Sequence, residues 1–114
     1  MFKNDLPTAM PTLHNLKTTF DAFMSESITL NSIEKIGAET EFAQEVAEIL
    51  KGYRNNPQVH NLDYQYQKLI RITSDIHHLN LAVNNELPYW LQGELETVFR
   101  KIKNTLLILE IELN

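Results

Sequence analysis

The sequence contains no cysteine. Disulfides, thiolate nucleophiles and cysteine-based metal sites are therefore excluded. Glycine occurs only three times and proline four times in 114 residues. With so few interrupters, a small number of long elements is expected. No apolar run approaches the roughly 20 residues that a spanning helix requires. The densest, Leu106 to Leu109, amounts to one helical turn. The N-terminal Met1-Phe2-Lys3-Asn4-Asp5-Leu6-Pro7 lacks the apolar core of a signal peptide. The expectation is a cytoplasmic chain with no membrane association. Basic residues are also in deficit: Lys and Arg number 10 against 15 Asp and Glu, a formal net charge of −5. Nucleic acid and anionic lipid surfaces are disfavoured as partners on that balance.

What is present is ordinary globular material, 43% hydrophobic and 22% charged. One domain with one core is expected. Pro7 and Pro11 disfavour helix in the residues before them, so residues 1–11 read as an extended lead-in and residues 12–114 as the folded domain. Leu13, Leu16, Phe20, Phe23 and Met24 recur at steps of three and four and predict a first helix from about Pro11 to Met24. A second runs from about Asn31 to Tyr53, with Ile33, Ile36, Phe42, Ala43, Val46, Ala47, Ile49 and Leu50 among its apolar positions. Gly37 and the pair Glu39-Thr40 mark a kink or split within it. Asn55-Asn56 before Pro57 stop it.

The third helix, Pro57 to about Val83, carries the clearest pattern. Val59, Leu62, Tyr66, Leu69, Ile72, Ile76, Leu79 and Val83 keep a near-heptad spacing. The fourth follows the turn Asn84-Asn85 and is started by Pro88. Its stripe is Leu91, Leu95, Val98, Phe99, Ile102, Leu106, Leu109 and Leu113. Leu109-Glu110-Ile111-Glu112-Leu113 alternates like a strand, but three periodic turns precede it and no second strand exists to pair with. Short turns between long helices make neighbours antiparallel. The predicted fold is all-α: an antiparallel up-down four-helix bundle with a short first helix.

Chemistry-bearing residues are sparse. Among His14, His60, His77 and His78, no two are three or four apart, the spacing that presents two ligands on one helix face. Asp75 and His78 have it, and Glu41, Glu45 and Glu48 could supply carboxylates from the second helix. That is a candidate metal-binding bundle, although a solvated polar face accounts for the same residues. Arg71 and His78 fit an R-x(4–6)-H spacing, which resembles the signature of HEPN-type helical ribonucleases. The resemblance implies a dimer that pairs two such motifs, with imidazole for proton transfer and guanidinium for phosphate. Ile72 follows Arg71 where that family usually has a polar residue. Nucleophile elbows and phosphate-cradling glycine loops are absent. No catalytic residue, metal ligand or cofactor is assigned, and no enzymatic activity is expected.

Two surfaces remain. Leu106, Leu107, Ile108, Leu109, Ile111 and Leu113 encircle the end of the fourth helix, and a helix apolar all round is buried all round. One thin bundle does not cover Leu107, Ile108 and Ile111 as well as the main stripe. The first helix, Phe2 and Leu6 of the lead-in, or another molecule must do so. Tyr89 and Trp90 open the same helix and serve as core plugs or as binding anchors. The acidic run Glu34, Glu41, Glu45, Glu48 and the basic run Arg100, Lys101, Lys103 are expected to form weak ion pairs between helices. The expected function is protein–protein interaction without catalysis, by an adaptor, chaperone, immunity-type inhibitor or regulator. Its surface would be Leu107, Ile108, Ile111, Tyr89 and Trp90, and its partner another protein or a second copy in a homo-oligomer.

Overall fold

The computed structural model describes residues 6–25, 28–37 and 40–113, with side chains between 11 and 112 in those ranges. Among the described residues five helices form in chain order: α1 (Leu6–Ser25), α2 (Leu30–Glu34), α3 (Glu41–Gly52), α4 (Pro57–His78) and α5 (Tyr89–Leu113). Four helices were expected; the predicted second one is divided into α2 and α3. The alternating C-terminal segment is helical to Leu113.

α1 begins at Leu6 and contains Pro11, so the extended lead-in does not reach residue 11. The first four N–H groups of a helix have no partner in any case, and Pro7 falls among them. Pro11 removes one further bond, and the burial of Leu13, Leu16 and Phe20 one to three turns on outweighs it. Residues 1–5 lie outside the described residues.

The division of the second helix follows from its caps. Thr29 caps α2, its hydroxyl accepting from the Ser32 amide. Thr40 caps α3 by accepting from the Ala43 amide, while its own hydroxyl donates to the Gly37 carbonyl at 2.7 Å. A threonine committed to starting a new helix cannot continue the old one. Glu41 in the first turn of α3 and Lys51 in its last complement the helix dipole. Asn56 takes the same part for α4. Its backbone is extended rather than left-handed, and its side-chain oxygen accepts from Gln58 and Val59 amides ahead of Pro57.

α4 stops a full turn early. Asn80 adopts φ 54°, and the Leu81 amide donates to the Ile76 carbonyl. This is the six-to-one bond of a Schellman stop, with asparagine in the position glycine usually fills. Leu79 and Val83 are consequently exposed instead of extending the buried stripe. Asn84 and Asn85 both have positive φ, 54° and 66°. Val83 and Glu86 exchange amide–carbonyl bonds of 2.8 and 2.9 Å across them. The two-residue loop is a type I′ hairpin turn, which asparagine tolerates. The Leu30 amide bonds to the Asn85 carbonyl, so this turn is tied to the start of α2. Together the two segments cap one end of the molecule over Ile28, Ile33 and Leu87, all buried.

The helices pack in the order α4 on α5, α5 on α1, α1 on α3 and α3 on α4. The start of α4 lies beside the end of α5, where Asn61 donates to Thr105 and Asn56 to Glu112. Lys17 meets Glu110 at 3.0 Å and Lys103 meets Asp21 at 2.7 Å, so α1 and α5 are antiparallel as well. Phe20 of α1 stacks within 4.4 Å of Phe42 of α3 and 5.4 Å of Phe99 of α5, ring centroid to centroid. Phe23 joins them, and this phenylalanine group is where three helices meet. Tyr66 of α4 donates to the Ile36 carbonyl at 3.3 Å, which anchors the segment between α2 and α3. Met24 and Ala47, placed among the apolar positions by spacing, are exposed. No helix of the described residues is long and apolar enough to cross a membrane.

Candidate interaction surface

α5 is a 25-residue helix with two unlike faces. Its inner stripe is completely enclosed: Leu95, Ile102, Leu106 and Leu109 have no exposed surface. The rotation of about 100° per residue turns their neighbours Leu107, Ile108 and Ile111 outward. Leu107 is 39% exposed, Ile108 41% and Ile111 80%. The described residues thus cover Leu107 and Ile108 in part and leave Ile111 mostly open. Phe2 and the Leu6 side chain, candidates for that role, lie outside them. Beside this trio α1 meets the flank of α5 through charge. Glu110 there accepts from Lys17 and lies 3.6 Å from His14.

The other end of α5 is aromatic. Tyr89 is 91% exposed and Trp90 largely so. They are not plugs of the core; Leu87 and Leu91 on either side of them fill that place. The structure therefore leaves all five predicted surface residues, Leu107, Ile108, Ile111, Tyr89 and Trp90, open on one helix. It does not bring them into one patch, because they occupy opposite ends of that helix.

Charge is arranged differently from the expectation. Lys103 pairs with Asp21 of α1 rather than with the glutamates of α3. Glu41 and Glu45 line an open cleft of about 590 Å³ between α1 and α3, with Asn15, Thr18 and Lys35. Partial burial pushes the Glu45 carboxyl above its ordinary value, and Glu41 one turn away adds to the effect. Burial likewise raises the Tyr66 phenol, with Thr40 pulling the other way.

The histidine alternatives are dispersed. Arg71, Asp75, His77 and His78 are exposed on α4. His78 Nδ1 sits 3.0 Å from the Ser74 carbonyl oxygen of its own helix. Among the described residues no three His, Asp or Glu side chains are grouped to hold a metal ion. Asp75 and His78 thus gain no carboxylate from Glu41, Glu45 or Glu48. Arg71 and His78 share the outer side of α4, two turns apart, and both are exposed.

Sequence reasoning passed over Gly93, in the second turn of α5. A Cβ added there would meet nothing within 4 Å. A glycine inside a long helix, with open space around it, is the signal that could have found it. Comparison with protein-family models, curated proteins and solved structures gives no match for this chain.

Proposed function

We propose that this chain is a non-catalytic protein–protein interaction module, a four-helix up-down arrangement of α1, α3, α4 and α5 that binds through the outer face of α5. The cyclic order of helix contacts supports the arrangement. The observation that carries the function is the open apolar trio Leu107, Ile108 and Ile111 beside a fully enclosed stripe on the same turns. A side chain of this size forgoes part of the roughly 1.5–3 kcal/mol of full burial in proportion to what it leaves in water, most for Ile111. Three together, with Tyr89 and Trp90 at the far end, make a surface rich in the residue types that anchor interfaces. Such a module acts in the cytoplasm by occupying a partner's surface, as an adaptor, chaperone, inhibitor or regulator does.

The test compares two baits from the native cell, the wild type and a Trp90→Ala/Ile111→Asp variant of equal helicity. The reading expects at least one protein, the chain itself included, to be retained by the first and lost by the second. Identical retained sets would refute it.

A further inference from the structure

α4 and α5 bury aliphatic stripes, and between them runs a short ladder of polar side chains. Asn61 of α4 donates through Nδ2 to the Thr105 hydroxyl of α5 at 3.0 Å. That hydroxyl has one proton and gives it to the Lys101 carbonyl at 2.8 Å, so toward Asn61 it can only accept. Asn61 is thereby fixed with Oδ1 turned to Gln65, one turn on. Gln65 reaches it through Nε2 at 3.5 Å, the long limit of a hydrogen bond. The direction of the ladder is thus forced, and it ends on an acceptor with nothing to accept. Gln65 is 7% exposed, and its Oε1 has no hydrogen-bond partner. We propose that this ladder is a register lock, which lowers the stability of the fold and admits one alignment of α4 on α5.

Three observations support that role. The first is that the apolar stripes alone are permissive. α4 buries Val59, Leu62, Leu69 and Ile76, and α5 buries Leu91, Leu95, Val98, Ile102 and Leu106. Aliphatic side chains recur every three or four residues on both. A slide by one turn, about 5.4 Å, therefore exchanges one such contact for another. The same slide sets Asn61 against Lys101 or Leu109 instead of Thr105, and neither side chain offers an acceptor. The second is the connection. Residues 79–88 join the two helices, longer than the two-to-five-residue loop of a tight helical hairpin. The other polar contacts of these helices do not read the seam from inside. Asn56–Glu112 crosses it at an exposed end. Lys17 and Asp21 tie α5 to α1, and Tyr66 ties α4 to the Ile36 carbonyl. The third is the unpartnered oxygen. A buried acceptor without a donor is destabilising, and an aliphatic side chain of similar volume would remove that cost. Buried polar groups of this kind are best attested as devices that fix register.

Two variants separate stability from register. Gln65→Leu removes the unpartnered oxygen and keeps the Asn61–Thr105 bond. Asn61 is exposed, so its Oδ1 turns to water. This variant should melt about 4 °C higher than wild type and keep one alignment. Gln65→Leu/Thr105→Val removes the ladder and should hold two alignments. The absence of cysteine permits a direct readout. His60→Cys and Glu94→Cys, both exposed and far apart along the seam, carry a pair of spin labels. Their distance distribution should have one peak in wild type and in Gln65→Leu. In the double variant a second peak should appear, displaced by about 5 Å.

A lower melting temperature for Gln65→Leu would overturn the proposal, because Oε1 would then have a donor. A double variant with a single unchanged peak would overturn it too, since aliphatic packing alone would set the register. So would an unfolded double variant, which would make the ladder a source of stability. Two peaks in wild type would show that the ladder locks nothing.

Discussion

α4 and α5 lie side by side, have similar lengths and bury stripes of the same kind. Val59, Leu62 and Leu69 of α4 are as enclosed as Leu95, Ile102 and Leu106 of α5. Their outer faces differ. α4 presents His60, Gln67, Arg71, Asp75 and His78, with Tyr64 as its one large apolar exposure. α5 presents Tyr89, Trp90, Leu107, Ile108 and Ile111. A bundle core needs only one stripe per helix. What a helix does with its other side is free of the fold, and there the two part company. The apolar outer side of α5 is the observation on which the proposed function rests.

The sharpest way to break the comparison is within α5 itself. Leu109→Asp places a charge where no solvent reaches and is expected to unfold the chain, with loss of the circular dichroism signal at 222 nm. Ile111→Asp, two residues on, should leave that signal intact. Equal damage from both would show that the outer face is part of the core. Next, Leu69→Ala in α4 and Leu106→Ala in α5 should cost similar amounts, about 2–5 kcal/mol each in urea unfolding. A much smaller cost in one would mean that its stripe is less enclosed than its partner's. The cap of α4 should matter less: Asn56→Ala is expected to lower stability by about 1 kcal/mol.

The smallest effect is electrostatic. The Glu45 carboxyl is raised above its ordinary value of 4.5, mainly by burial. The folded state therefore holds a proton that the unfolded state releases, and stability falls as pH rises through that window. The penalty is absent below the ordinary value and complete above the raised one. Glu45→Gln should raise the melting temperature slightly at pH 7 and have little effect at pH 4. A stabilisation that is the same at both would assign the effect to packing.

The inner half of this contrast was legible from spacing alone. Steps of three and four located the stripes of α1, α3, α4 and α5, and the surplus apolar surface of α5 was visible as residues with no face left to occupy. Boundaries were less legible, because they depend on side-chain bonds to the backbone. Thr40 reads equally well as a polar interruption and as a cap until its partner amide is known. Asn80, which ends α4 before Val83, has no sequence mark that separates it from an asparagine on a helix surface. The separation of Tyr89 and Trp90 from the core turned on Leu87 and Leu91 filling that place, which periodicity does not rank.

The capped end of the molecule has a consequence for how it opens. The type I′ turn is held by the two Val83–Glu86 backbone bonds and tied to the start of α2 by the Leu30–Asn85 bond and the bridge between Thr29 and Glu86. They can break while the long helices keep every bond of their own, so this end has its own, lower opening energy. The opposite end is clamped by Lys17–Glu110 and Asn56–Glu112. The molecule is thus soft where Tyr89 and Trp90 lie and firm where Leu107 to Ile111 lie. The slowest-exchanging amides of the cap should therefore exchange faster than those of the long helices.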